Sequence, residues 1–199
     1  MKAALHYYLI GYNLIAFFAW LLYLILFVGE GFSLNSFNLL LLNIAQGLAI
    51  MEIVHVLLRW VKSPIASTSA QVLSRLLVLA AIDWAVTMQT LTHMSLVGIL
   101  VVSFAWGITE LVRYSFYASQ LVSRTPKWLL WMRYTFFIVL YPTGVTGEWL
   151  ILAAPIVAAG WQVSMYAIAM AVVFVVYVYY FPVLYGYMWK QRSAKLLSA

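Results

Sequence analysis

Long apolar windows fill this chain, and polar residues or Gly/Pro punctuation cut them into six. They predict helices near residues 6–28, 36–59, 70–91, 95–119, 128–156 and 163–189. Each is long enough to cross about 30 Å of hydrocarbon, which takes roughly 20 helical residues. No linker, low-complexity tract or 20–50-residue repeat divides the chain. The expected fold class is all-α: a polytopic membrane protein forming a single six-transmembrane-helix bundle, with residues 1–199 as one domain.

The loops assign the sides. Gly29-Glu30-Gly31, Thr92-His93-Met94 and Ala159-Gly160-Trp161 join alternate helix pairs and hold no Lys or Arg. Lys2, Arg59, Lys62, Arg124, Lys127, Lys190, Arg192 and Lys195 all fall on the opposite side. Cytoplasmic loops carry such an excess, so both termini are expected to be cytoplasmic. Trp128, Trp131 and Trp189 fit interfacial anchors on that side. The first window lacks a small-residue cleavage site, so it is expected to remain as a transmembrane helix.

Composition narrows the function classes. With 66% hydrophobic and 8% charged residues, far less polar than soluble domains, the chemistry is expected in or beside the bilayer. A net charge of +6 would suggest nucleic acid in a soluble protein. Here the basic residues sit at span ends, and no nucleic-acid partner is expected. The chain has no cysteine, hence no disulfide, thiolate metal site or cysteine nucleophile.

Several ionisable residues nevertheless lie inside the windows. Glu52 and His55 are three apart and share a helical face, and a hydrogen-bonded structural pair is expected. A carboxylate di-metal site would need a second Glu-x-x-His motif and two further Glu, whereas only Glu30, Glu110 and Glu148 remain, so no metal is expected. Arg75 and Asp83 are eight apart, about 12 Å along a helix, so each needs another partner. Glu110, Arg113 and Tyr114 form a set on one face, read either as an internal ion pair or as substrate-binding support. Arg113 and Arg133 lie near the cytoplasmic boundary and could snorkel toward phosphates.

The segment Tyr141-Pro142-Thr143-Gly144-Val145-Thr146-Gly147-Glu148 stands apart. A carboxylate in hydrocarbon costs several kcal/mol, which makes Glu148 a functional-site hypothesis. Pro142 removes a backbone donor and is expected to kink the helix, while Gly144 and Gly147 admit close backbone approach. Tyr141 and Glu148 are seven apart, so a regular helix presents them on one face about 10 Å apart. Counted from Trp128, Glu148 lies about 30 Å along a straight helix, near the far side of the hydrocarbon.

Leu58 to Pro64, Gln71 to Arg75, Thr109-Glu110-Leu111-Val112-Arg113-Tyr114-Ser115-Phe116-Tyr117 and, above all, Arg133 through Glu148 resemble the very-long-chain (3R)-3-hydroxyacyl-CoA dehydratase family, the protein tyrosine phosphatase-like membrane proteins. Glu52-Ile53-Val54-His55 resembles the family's second-helix motif. The resemblance implies a six-helix lyase of the endoplasmic reticulum membrane without metal or redox cofactor, acting beside other fatty acid elongation enzymes and membrane lipid. The family's catalytic Tyr and Glu fall on Tyr141 and Glu148. Glu52, His55, Glu110, Arg113, Tyr114 and Arg133 are the supporting candidates. A phosphatase mechanism through a thiolate is closed to a chain without cysteine. Ala153 to Val163 is short and apolar where relatives carry a polar segment, so a bacterial inner-membrane relative is the alternative location.

The implied reaction dehydrates (3R)-3-hydroxyacyl-CoA to trans-2-enoyl-CoA. It takes a proton from C2 and gives one to the hydroxyl leaving C3, for which two proton-transfer groups suffice. Spacing leaves the roles open. Glu148 is taken as base and Tyr141 as donor, because a phenol of ordinary pKa, about 10, keeps its proton at neutral pH. Alternatives are a non-catalytic membrane scaffold of the same family, which places the pair in different clefts, and a small transporter, which calls for inverted repeats.

Overall fold

The computed structural model describes residues 2–122 and 125–196 of the chain. Among them run α1 (Lys2–Gly29), α2 (Ser36–Gly47), α3 (Ile50–Leu57), α4 (Ile65–Thr87), α5 (His93–Val122), α6 (Lys127–Thr135), α7 (Phe137–Ala158) and α8 (Met165–Leu196). Six stretches are long and apolar enough to cross a membrane: Ala3–Gly29, Ser36–Leu57, Ile65–Thr87, His93–Val122, Phe137–Ala158 and Met165–Leu196. The architecture is all-helical, as the apolar windows predict. Arg124, one of the basic loop residues, lies outside the described residues.

Two predicted helices are each divided. The second is interrupted at Leu48 and Ala49, and Tyr12 of α1 donates its hydroxyl to the Leu48 carbonyl at 3.0 Å. The fifth is interrupted at Phe136, whose carbonyl accepts from both Val139 and Leu140. α6, which carries Lys127 and Arg133, therefore stands apart from the uncharged start of α7. This corrects the depth expected for Glu148. It lies eleven residues, about 17 Å, into the 22-residue span and not at its far side.

Pro142 lies inside α7 without ending it. A proline has no amide to offer the carbonyl four residues earlier, and in hydrocarbon no water replaces it. Tyr185 of α8 donates its hydroxyl to that carbonyl, Ile138, at 3.1 Å.

α5 is the central helix and packs against α1 and α7. Gly98 and Gly147 bring α5 and α7 together: a Cβ built on Gly98 would stand 2.8 Å from the Gly147 carbonyl oxygen. Trp20, Tyr23 and Phe27 of α1, Val102 and Trp106 of α5, and Ile151 and Leu152 of α7 are buried together. Tyr23 and Ser103 hydrogen-bond between α1 and α5 at 2.6 Å. α8 is peripheral, with Val172, Val175, Val178, Tyr179 and Val183 exposed as a lipid-facing surface would be. Its half-buried stripe, Val173, Tyr177, Phe181 and Tyr185, recurs every four residues.

Candidate active site

Glu148 is buried in the middle of α7, between α5 and α8. Trp106 of α5 donates its indole N–H to Oε1 at 3.0 Å, and Tyr177 of α8 donates its hydroxyl to Oε2 at 2.8 Å. Each carboxylate oxygen thus has a donor and retains a second lone pair. The Trp106 ring is itself braced by the Arg75 guanidinium, 5.4 Å from the ring centroid.

Tyr141 lies two turns earlier on the same face of α7, also against α8. Its ring stacks on Phe181 with centroids 5.0 Å apart and an interplanar angle of 12°, and on Tyr185 at 6.2 Å. Its hydroxyl makes no hydrogen bond to a described residue. Arg75 acts electrostatically on both Tyr141 and Glu148. The α8 stripe therefore serves both candidates, with Tyr177 on Glu148 and Phe181 and Tyr185 on Tyr141.

Glu52, Glu110, Arg113 and Tyr114 come together, but in a neighbouring ion network. Arg75 pairs with Glu110, and Arg113 bridges Glu110 Oε2 at 2.5 Å and Glu52 at 2.6 and 2.9 Å. The Tyr114 hydroxyl donates to Glu52 at 2.8 Å. Charges alternate in the order Arg75, Glu110, Arg113, Glu52. Each buried charge faces opposite sign, which offsets the cost of withdrawing it from water. Arg113 points into this network and does not snorkel. Arg75 finds its partner in Glu110, and Asp83 accepts from Asn43 at 2.9 Å.

The expected Glu52–His55 hydrogen bond does not form. His55 Nε2 instead meets the Tyr8 hydroxyl at 3.0 Å, and the His55 ring lies among Tyr12, Tyr8 and Trp60. Glu52, His55, Tyr12 and Tyr114 border a cavity of about 280 Å³, on the side of the ion network away from Glu148. Arg133 on α6 stands 5.9 Å from the Tyr117 ring, apart from both groups. Trp106, Tyr177 and Phe181 were not expected at the site. The i, i+4, i+8 spacing of Tyr177, Phe181 and Tyr185 does not single out this face of α8 in the sequence, because aromatic and β-branched residues fill its other positions as well.

Comparison with known proteins bears on this arrangement. The family described as protein tyrosine phosphatase-like protein, PTPLA, matches residues 46–198. Very-long-chain (3R)-3-hydroxyacyl-CoA dehydratase 2 of Mus musculus is 35% identical over 213 residues, covering 96% of this chain and 81% of its own. Its Homo sapiens counterpart is 34% identical with the same coverage. Very-long-chain (3R)-3-hydroxyacyl-CoA dehydratase PASTICCINO 2B of Oryza sativa subsp. japonica is 37% identical, covering 79% of this chain and 76% of its own. No solved structure matches the chain.

Proposed function

The chain belongs to the protein tyrosine phosphatase-like PTPLA family, and on that footing we propose that it dehydrates a (3R)-3-hydroxyacyl-CoA to the trans-2-enoyl-CoA in very-long-chain fatty acid elongation. Residues 1–199 act as one dehydratase domain, and Tyr141 and Glu148 are its catalytic pair. The observation that carries this reading is their placement on one face of α7, with Glu148 at mid-span and both covered by the same stripe of α8.

Glu148 takes the proton from C2, whose acidity comes from the adjacent thioester carbonyl. The electron pair moves into the C2–C3 double bond, the C3–O bond breaks, and Tyr141 protonates the departing hydroxyl to give water. Return of the proton from Glu148 to Tyr141 through solvent resets the site. No electron changes hands overall. The lack of cysteine removes the thiolate route that the phosphatase-like description would suggest.

The enzyme works in the endoplasmic reticulum membrane with both termini cytoplasmic, beside other elongation enzymes and among membrane lipids. The acyl chain lies among the spans, and the CoA head meets the basic cytoplasmic side, where Arg59, Lys62 and Lys127 stand at span ends. Glu110, Arg113, Tyr114, Glu52, His55 and Arg133 support the bundle and make no contact with the reacting carbons.

The test is enoyl-CoA formation from a long-chain 3-hydroxyacyl-CoA by the detergent-purified protein, alongside Glu148→Gln and Tyr141→Phe. Turnover by the parent and its loss in folded variants is the expected result. An inactive but well-folded parent would overturn the reading and favour a scaffold or a transporter.

A further inference from the structure

α8 turns most of its side chains outward, yet its Tyr177 hydroxyl reaches inward to the Glu148 carboxylate at 2.8 Å. A phenol in hydrocarbon needs some hydrogen-bond partner, and α8 shows what an ordinary one does. Tyr179 and Tyr180, two and three residues on, are 68% and 54% exposed and point away. Tyr177 instead takes the carboxylate assigned above as the base, while the other oxygen of that carboxylate takes Trp106. The two donors come from helices on either side of α7 and fix both oxygens, hence the plane of the group.

We propose, resting on the dehydratase reading, that Tyr177 is a positioning residue for Glu148: with Trp106 it clamps the carboxylate in the orientation that accepts the C2 proton. The clamp has rigid supports. Trp106 is buried and lies against Arg75. The groups facing Glu148 are thus Arg75 from α4, Trp106 from α5, Tyr141 on its own helix and Tyr177 from α8. Tyr177 and Trp106 alone among these hydrogen-bond the carboxylate directly. One turn and two turns beyond Tyr177, Phe181 and Tyr185 stack on Tyr141, so one helical face sets the acceptor and the donor relative to each other.

The chemistry separates positioning from packing. Tyr177→Phe keeps the ring and its edge contact with Trp149, whose centroid is 5.6 Å away, and removes only the donor. The acyl-CoA does not bind through that hydroxyl, so the effect belongs in kcat. The experiment compares the full-length, detergent-purified parent with Tyr177→Phe, Tyr179→Phe and Glu148→Gln on a long-chain 3-hydroxyacyl-CoA, recording kcat, KM and melting temperature. For Tyr177→Phe, kcat should fall about 10- to 100-fold, the loss expected of one donor to a charged group, with KM within about twofold and a melting temperature lowered no further than in Tyr185→Phe, which also leaves one buried acceptor unpaired. Tyr179→Phe should match the parent. A Tyr177→Phe protein with parental kcat, or one whose KM rises as much as its kcat falls, would overturn the positioning role. If only that happens while Glu148→Gln is inactive, the dehydratase reading stands. If Glu148→Gln turns over like the parent, both fall.

Discussion

Tyr185 on α8 donates its hydroxyl to the Ile138 carbonyl, which has no amide partner because the residue four positions on is Pro142. The bond replaces, from a second helix, what the proline takes from the first, and α7 continues through Pro142. Tyr185→Phe keeps the stack on Tyr141 and leaves that carbonyl unpaired in an apolar setting. We expect a loss of about 1–3 kcal/mol in unfolding free energy, the cost of an unsatisfied buried group. Reversible unfolding in detergent, comparing Tyr185→Phe with the exposed Tyr179→Phe, reads it; equal stability of the two would refute the account.

How far the sequence led can be seen in two residues. Glu148 was legible because a lone carboxylate in an apolar window has few explanations, and its seven-residue spacing from Tyr141 survives in the continuous α7. Tyr177 was not legible. It lies in a stretch with aromatic or β-branched residues at nearly every position, where a site residue and a lipid-facing one look alike. The span count followed from hydropathy alone, whereas the partner of Arg75 is Glu110, thirty-five residues away, and no local spacing pairs them. The Phe136 interruption was also hidden, since Pro142 draws attention one and a half turns too late.

The α5–α7 crossing makes a prediction from three glycines. A Cβ on Gly98 would meet the Gly147 carbonyl oxygen at 2.8 Å, and one on Gly147 would meet Val102 Cγ2 at 2.8 Å and the Gly98 carbonyl oxygen at 3.1 Å. A Cβ on Gly144 would find nothing closer than Ala105 Cβ at 3.6 Å, an ordinary contact. Gly98→Ala and Gly147→Ala should therefore lower the melting temperature and the yield of monodisperse protein, with an overpacking cost of about 1–3 kcal/mol each. Gly144→Ala should fold like the parent. A thermal melt of the three variants decides it, and similar behaviour of all three would show that the crossing tolerates a methyl group.

The ion network predicts non-additivity. Glu110 is 1% exposed at its side chain and faces Arg75 and Arg113. Glu110→Leu leaves Arg75 without its carboxylate and should cost about 3–5 kcal/mol, the usual penalty for breaking a buried pair from one side. Removing Arg75 as well, in Arg75→Met with Glu110→Leu, should restore part of that loss, because no unpaired charge remains from that pair. The double variant should thus be more stable than Glu110→Leu alone. A double-mutant cycle by chemical or thermal unfolding measures the coupling, and additive losses would mean that the two side chains stabilise the bundle independently.

Phe181 offers the sharpest test of what α8 does for Tyr141. Its ring lies nearly parallel to the Tyr141 ring at 5.0 Å, whereas the Glu148 carboxylate is held by Trp106 and Tyr177. Phe181→Leu keeps an apolar side chain but gives up the flat surface that orients the phenol, a contact worth about 0.5–1.5 kcal/mol beyond its area. The phenol keeps its proton and its place on α7, so turnover should fall by about 3- to 10-fold, the same energy expressed as a rate. The effect should vanish on the residual turnover of a Tyr141→Phe background, where no hydroxyl is left to orient. Measuring enoyl-CoA formation in the single and double variants therefore isolates the stack: a further loss from Phe181→Leu when Tyr141 is already Phe would assign Phe181 to packing of the bundle and not to the orientation of Tyr141.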